Sequence, residues 1–211
     1  MCIYFFANTF PPCVLDPVQI ETVKLLPSDR GAGDQFGYSV GISNNYAIVG
    51  APNQDTYKGA AYIFEYSSDT WTQVTKITAI GSDRDNHDKF GYSVAVGGNY
   101  LKTLCVYNDK SLIIFDVSGA YAVVGAVSDG EDENAANHIQ NAGSVYVYER
   151  ISGSWTFVKK LLPIDRQNYG YLGASFGCAV SLDGDSLVVG ARSEKWDVDG
   201  TTGKIESSSS A

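Results

Sequence analysis

Short apolar stretches alternate with polar turns along most of this 211-residue chain. Residues 36–42 (FGYSVGI) and 45–51 (NYAIVGA) are both rich in Val, Ile and Tyr, and a Ser-Asn-Asn turn joins them. Apolar segments of this length and composition around a tight polar turn predict paired β-strands. No long stretch carries apolar residues at helical spacing. The pattern therefore predicts an all-β protein.

A sixteen-residue unit occurs three times in the sequence. Residues 36–51 read FGYSVGISNNYAIVGA, and residues 176–191 read FGCAVSLDGDSLVVGA. The middle copy is split into FGYSVAVGG (90–98) and AYAVVGA (120–126) by the segment 99–119. Repetition at a spacing of roughly 50 residues indicates an array in which each unit buries its apolar face against its neighbours.

A second shared block follows the first and middle copies. Residues 59–77 (GAAYIFEYSSDTWTQVTKI) and 143–161 (GSVYVYERISGSWTFVKKL) have equal length and align Tyr62 with Tyr146. Each block predicts two more strands around a polar turn. Four antiparallel strands per repeat correspond to one blade of a β-propeller.

The predicted architecture is an incomplete β-propeller ring of about three blades, in which a phenylalanine of each repeat wedges between blades. Small residues of the Val-Gly-Ala element let strands approach a narrow centre, and outer-strand tryptophans cover sheet edges. A lone outer strand is expected near residues 20–26. The phenylalanines are Phe36, Phe90 and Phe176. The divisions are an unassigned segment at 1–19, a propeller fragment at 20–203 with blades at about 34–80, 88–163 and 174–203, and a disordered tail at 204–211.

The segment 99–119 has two interpretations. It is either a retained intron translated in frame, because its removal restores the sixteen-residue unit and its residues favour A/T-rich codons, or a true insertion at a hairpin tip. If the segment is foreign to the blade, it loops out while 94–96 and 121–124 pair as neighbouring strands.

Composition and charge exclude several classes of function. A net charge of −9 argues against nucleic acid, whose phosphates need a basic face. No apolar run is long enough to span a membrane, and the first residues lack the basic region of a signal peptide. The cysteines show no metal-ligand spacing, and their disulfide state cannot be assigned from sequence. They are Cys2, Cys13, Cys105 and Cys178.

The Phe-Gly of FGYSV, followed by Val-Gly-Ala-Pro at 49–52, resembles the FG-GAP repeat, the blade unit of integrin α-chain propellers. The closest sub-type is common in bacterial and protist surface proteins. Its further elements match residues 34–37, 62–64 and 71–77, and the resemblance covers about 23–203. The resemblance implies an extracellular or cell-surface β-propeller. In the later copies, Val127 and Arg192 replace the final Pro of the motif, and Ala174 replaces the Asp that precedes Phe-Gly.

The calcium loops of integrin-type blades are not carried over. The last ligand position of the D-x-D-x-D-G-x-x-D loop holds Tyr46, Tyr121 and Ser186 in the three copies. Calcium needs six to eight oxygens, and no other acidic stretch supplies a full set. No cofactor is therefore expected, and solvated loop charge is the expected role of these carboxylates. The weak calcium candidates are Asp83, Asp85, Asp88, Asp197 and Asp199.

The resemblance and the lack of a catalytic motif predict a non-enzymatic recognition module of adhesion type, which contacts a protein or glycan through blade loops. No GxSxG, P-loop or GxGxxG motif is present, and both histidines lie in polar loops. The alternative is an accessory propeller fragment of a larger extracellular hydrolase. The longest variable loop, 128–142, is the first candidate contact. Its candidate binding residues are Asp129, Glu131, Asp132, Glu133 and His138.

Overall fold

A computed structural model describes eight stretches of the chain: 3–5, 23–80, 84–97, 120–132, 134, 138–163, 174–184 and 186–192. This described part contains twelve strands and one short helical turn, α1 (Gln54–Tyr57), so the all-β prediction is confirmed. The strands are β1 (Ile3–Phe5), β2 (Val23–Leu25), β3 (Ser39–Ser43), β4 (Tyr46–Ala51), β5 (Ala60–Ser67), β6 (Thr70–Ile77), β7 (Phe90–Gly97), β8 (Tyr121–Ala126), β9 (Ser144–Ile151), β10 (Ser154–Leu161), β11 (Phe176–Asp183) and β12 (Ser186–Ala191).

Two complete antiparallel sheets correspond to the first two repeats. Blade 1 has the strand order β3-β4-β5-β6, and blade 2 has the order β7-β8-β9-β10. The third repeat contributes the two-stranded sheet β11-β12, and β1 pairs with β2 in a separate two-stranded sheet. Each strand pairs with its neighbour in sequence, as expected for propeller blades. The blades form an incomplete propeller whose ring is not closed.

The strand at 23–25 is not the lone strand that the sequence suggested. β2 pairs with β1 in antiparallel register, with Ile3 opposite Leu25. The prediction was wrong because the three-residue strand β1 lies in the segment that sequence analysis left unassigned.

A phenylalanine at or just before the start of each inner strand marks the blade junctions. Phe90 is fully buried in a core that combines Ile48 and Ile63 of blade 1 with Val124 and Tyr146 of blade 2, so it occupies the predicted wedge position. Phe36 is buried against blade 1 and Leu25 of β2. Phe176 is only partly buried.

Glycine allows the close approach of successive blades. A Cβ at Gly50 would lie 2.0 Å from the carbonyl oxygen of Gly91, and a Cβ at Gly125 would lie 2.1 Å from that of Gly177. Real side chains cannot occupy that space, because carbon and oxygen atoms in contact stay more than 3 Å apart. The glycine of the Val-Gly-Ala element therefore lets adjacent blades approach closely.

Two further contacts recur at each junction. Ser39 Oγ donates a hydrogen bond to the Gly91 carbonyl at 2.8 Å, and Ser93 Oγ donates to the Gly177 carbonyl at 2.7 Å. The third repeat has Ala179 at this position and lacks the donor. Single parallel β-bridges also join each blade to the next; they pair Gly59 with Phe90 and Gly143 with Phe176.

The tryptophans of the outer strands lie in different surroundings. Trp155 of blade 2 packs edge-to-face on Tyr46 of blade 1, with ring centroids 5.6 Å apart. Trp71 instead contacts Tyr66 across its own blade at 5.3 Å. Trp155 therefore contributes to a blade junction, a role beyond the edge-covering one expected from sequence.

The interruption of the middle repeat leaves the hairpin intact. Val94 lies opposite Val124 and Val96 lies opposite Ala122, so β7 and β8 pair as predicted. The segment 99–119 lies outside the described residues.

Candidate functional site

Four connections of the blades meet at one end of the sheets, called here the loop face. It consists of the β4–β5 loop (52–59), the β8–β9 loop (127–143) and the linkers that precede β3 (26–38) and β7 (78–89). Antiparallel strands bring these connections to the same end, whereas the short β3–β4, β5–β6 and β9–β10 turns lie at the other.

Contacts between segments hold the loop face together. The Lys89 amide donates to the Tyr57 carbonyl at 2.9 Å, and the Arg84 guanidinium lies 2.7 Å from the Asp55 carboxylate. These contacts fix the linker of blade 2 against the β4–β5 loop of blade 1.

The β8–β9 loop is anchored by a buried carboxylate, that of Asp129. Its oxygens accept hydrogen bonds from the hydroxyls of Ser144 and Tyr146, and Lys160 Nζ lies 3.0 Å away. The side chains of Asp129 and Lys160 are 0% and 3% exposed. The Lys160 ammonium also donates to the carbonyls of Glu131 and of the following residue, at 3.0 and 3.3 Å. The ion pair is thus satisfied on both sides and fixes the start of the loop.

Two more carboxyl groups are buried beside Asp129. Burial, and next the charge of Asp129, raise the pKa of Asp88 to about 7, although the amide of Asp85 donates to it at 2.6 Å. Burial and the Asp129 charge also raise the pKa of Glu131, against the opposing effect of His138. The expectation of solvated loop charge is therefore wrong for Asp88, Asp129 and Glu131, and for the backbone-bonded Asp132.

The candidate binding residues divide into an inner and an outer group. Asp129, Glu131 and Asp132 come together at the buried base of the loop. His138 is 61% exposed, with Nε2 3.7 Å from Glu131 Oε1. Glu133 lies outside the described residues. Among the described residues of the loop, Asn134, His138 and Gln140 face solvent.

The weak calcium candidates gain no metal site in the part of the chain that is described. Within it, no group of three or more His, Cys, Asp or Glu side chains is arranged to hold a metal ion. Asp85 and Asp88 lie in the linker before β7, where a backbone hydrogen bond joins them. Asp83, Asp197 and Asp199 lie outside the described residues. Cys178 is a free thiol, and the other three cysteines also lie outside.

Blade 1 contains a counterpart of the Asp129 anchor. Tyr62 and Lys76, which match Tyr146 and Lys160, contact Asp29 of the preceding linker; the Tyr62 hydroxyl donates at 2.8 Å and Lys76 Nζ lies 2.6 Å away. Burial opposes ionisation of Asp29, but the hydrogen bonds from Lys76 and Tyr62 outweigh it and lower its pKa. Sequence reasoning missed both networks, although the matched tyrosines and lysines were visible in the repeat.

A cleft of about 370 Å³ lies beside the blade 1 network. Arg30, Asp34, Phe36 and Tyr62 line it, together with neighbouring residues of the linker. Arg30 occupies the repeat position of Arg84, which at the next junction pairs with the preceding blade.

Among the residues that the structure describes, neither histidine forms the nucleophile–base arrangement of a hydrolase. His87 stacks on Tyr57 with ring centroids 5.3 Å apart, and His138 lies beside Glu131. Within the described residues, no serine or cysteine is hydrogen-bonded to either ring, as a catalytic triad would require.

No helix in the described residues is long and apolar enough to cross a membrane.

Comparisons with known proteins identify the family of this blade architecture. Comparison with curated protein sequences gives no match. The sequence profile of the FG-GAP repeat matches residues 20–64, 71–101 and 155–205, which together make up more than half of the chain. With its repeated blades and inter-blade Phe-Gly contacts, the chain belongs to the FG-GAP repeat family.

Proposed function

We propose that this protein is a non-enzymatic recognition module of adhesion type, which contacts a protein or glycan ligand through its loop face. The observation that carries the proposal is the construction of the β8–β9 loop. Its base is fixed by the buried Asp129–Lys160 pair, while Asn134, His138 and Gln140 remain exposed. A loop whose base is fixed loses less entropy on binding, and preorganisation of this kind raises affinity.

The FG-GAP family supports a surface or secreted role, and the net charge limits the class of ligand. Propellers of repeated blades present clusters of loops on a rigid scaffold, and binding residues are concentrated on such loops. The net charge of −9 favours ligands that are neutral or basic over nucleic acid and other polyanions. The proposed partners are therefore an extracellular protein or a neutral glycan.

A binding survey with a loop variant tests this function. The purified chain is applied to an array of glycans and to immobilised extracellular-matrix proteins, in parallel with an Asn134→Ala, His138→Ala, Gln140→Ala variant. We expect binding to at least one probe and a loss of about tenfold or more in the variant, because contact residues near an interface centre each contribute about 1 kcal/mol or more.

The matched control changes exposed residues at the opposite end of blade 2. Ser152→Ala and Ser154→Ala alter the β9–β10 turn, which lies away from the loop face. This control should bind as the unaltered chain does. Equal binding by the loop variant, or no binding to any probe by the unaltered chain, would contradict the proposal.

A further inference from the structure

The second strand of the third repeat is uncovered where its counterparts are buried. Ile48 of β4, Val123 of β8 and Val188 of β12 occupy the same repeat position, and they are 0%, 1% and 68% exposed. In blades 1 and 2, a third strand pairs with this strand and a fourth completes the sheet. The outer edge of β12 has no partner strand among the described residues.

The β1–β2 sheet has the register of the missing outer half of a blade. In each blade, a tyrosine of the third strand lies opposite a lysine of the fourth, and the same pairing occurs between β1 and β2. The three pairs are Tyr4 with Lys24, Tyr62 with Lys76, and Tyr146 with Lys160. The β1–β2 pair therefore corresponds to strands three and four, and β11–β12 to strands one and two.

The inner strand of blade 1 is also uncovered on the face turned away from blade 2, although Leu25 and Phe36 bury the rest of that face. Val40 and Ile42 of β3 are each 59% exposed, whereas their counterparts Val94 and Val96 of β7 are 7% and 6% exposed. Val94 and Val96 are buried in the core that blades 1 and 2 share. A preceding blade would cover Val40 and Ile42 in the same way.

We propose that this chain assembles with a second copy of itself, in which β12 of one copy pairs antiparallel with β1 of the other. The half-sheet β11–β12 and the second copy's half-sheet β1–β2 then form one four-stranded blade. Val189 would lie opposite Tyr4, as Val49 lies opposite Tyr62 and Val124 opposite Tyr146.

Two copies joined at two such junctions make a ring of six blades. Propellers close with about four to eight blades, and the described strands of one copy amount to three. The composite blade would precede blade 1 of the second copy and cover its Val40 and Ile42. A single interaction thus accounts for the exposed edge of β12, the exposed Val188 on it and the exposed inner strand of blade 1. Edge-to-edge pairing of this kind is a common mode of β-strand association.

The test is the molar mass of the purified 211-residue chain, measured by size-exclusion chromatography with light scattering. We expect the unaltered chain to be a dimer. We expect Val188→Asp to be a monomer, because its carboxylate would be buried in the apolar core that the completed blade forms. Val74→Asp is the control, since Val74 is an exposed valine on the outer strand of blade 1. Circular dichroism verifies that both variants remain folded. A monomeric unaltered chain, or a dimer that persists in Val188→Asp, would overturn the proposal.

A cross-linking experiment tests the register. In a background without the four native cysteines, Val188→Cys with Phe5→Cys places thiols at facing positions, whereas Val188→Cys with Tyr4→Cys shifts them by one residue and onto opposite faces. Oxidation should give a covalent dimer with the first pair only. Equal yields of covalent dimer from the two cysteine combinations would exclude the proposed register between β12 and β1.

Discussion

Blades 1 and 2 place the same tyrosine and lysine on their third and fourth strands but pair them with carboxylates from different segments. Asp29 reaches the pair in blade 1 from the preceding linker, and 44% of its side chain is exposed. Asp129 reaches the pair in blade 2 from the β8–β9 loop and is fully buried. The comparison shows that a shared sequence motif fixes the cation, while the origin of the carboxylate decides whether the ion pair lies in water or in the core.

The two surroundings also give opposite responses to acid. The pKa of Asp29 is lowered because the hydrogen bonds from Lys76 and Tyr62 outweigh the effect of its burial. Near Asp129, burial and like charge raise the pKa values of Asp88 and Glu131. Protonation therefore weakens the blade 1 network and relieves repulsion around the blade 2 network.

The largest expected difference between the blades is the effect of removing the lysine. Lys160→Met should lower the free energy of unfolding by about 3–5 kcal/mol, because it leaves the Asp129 charge buried and unpaired. The matched change Lys76→Met should cost about 1 kcal/mol or less, since Asp29 can be solvated. Urea denaturation of both variants at pH 7 measures the difference. Similar losses in the two blades would refute the distinction between them.

An intermediate effect is expected from Asp88→Asn, which removes a carboxylate near Asp129. Because the pKa of Asp88 is raised from 3.8 to about 7 in the folded state, the folded protein binds more protons than the unfolded chain between these values. The contribution of Asp88 to the free energy of unfolding therefore falls as pH rises from about 4 to 7. The variant should gain about 1–3 kcal/mol at pH 8 and much less at pH 4.

Thermal or urea unfolding across pH 4 to 8 provides the measurement. Asp34→Asn is the control, because Asp34 occupies the same repeat position in blade 1 and also accepts a backbone hydrogen bond, from Gly31 at 2.7 Å. It should change stability at pH 8 by about 0.5 kcal/mol or less. A pH profile of Asp88→Asn that is parallel to that of the unaltered chain would contradict the assignment.

The smallest effect is expected from Asp29→Asn, which tests the opposite sign in blade 1. A lowered folded-state pKa contributes stability above the ordinary value of 3.8, and this contribution is lost as pH falls below it. The variant should cost less than about 1 kcal/mol at pH 6, because the pair is exposed, and almost nothing at pH 2.5. A larger loss of stability at pH 2.5 than at pH 6, measured by urea unfolding, would contradict the lowered pKa of Asp29.

The sequence predicted the strands well because their signals are local and repeated. The alternation in Phe36–Ala51 identifies a hairpin, and three copies of the unit identify a blade array. The burial of Asp129 was not predictable in the same way. A carboxylate in an acidic loop indicates solvent exposure, and only the fold places Lys160, thirty-one residues away, against it.

The position of β1 shows a second limit of sequence analysis. Three residues at 3–5 are too few to display a hydrophobic period, and their partner β2 lies about twenty residues further along the chain. In the blades, by contrast, the third and fourth strands are joined by a turn of two residues. The residues of β1 therefore carry no local signal that predicts β2 as their partner.

The parallel bridges that join Gly59 to Phe90 and Gly143 to Phe176 bear on how the chain folds during synthesis. Each bridge links a blade to the first strand of the next repeat, so that strand can dock on the blade soon after it leaves the ribosome. Blade 1 can complete its sheet once residue 77 has emerged, and its exposed side then receives β7. Ordered addition from the N-terminal side would limit the apolar surface open to aggregation at any moment to that of about one blade.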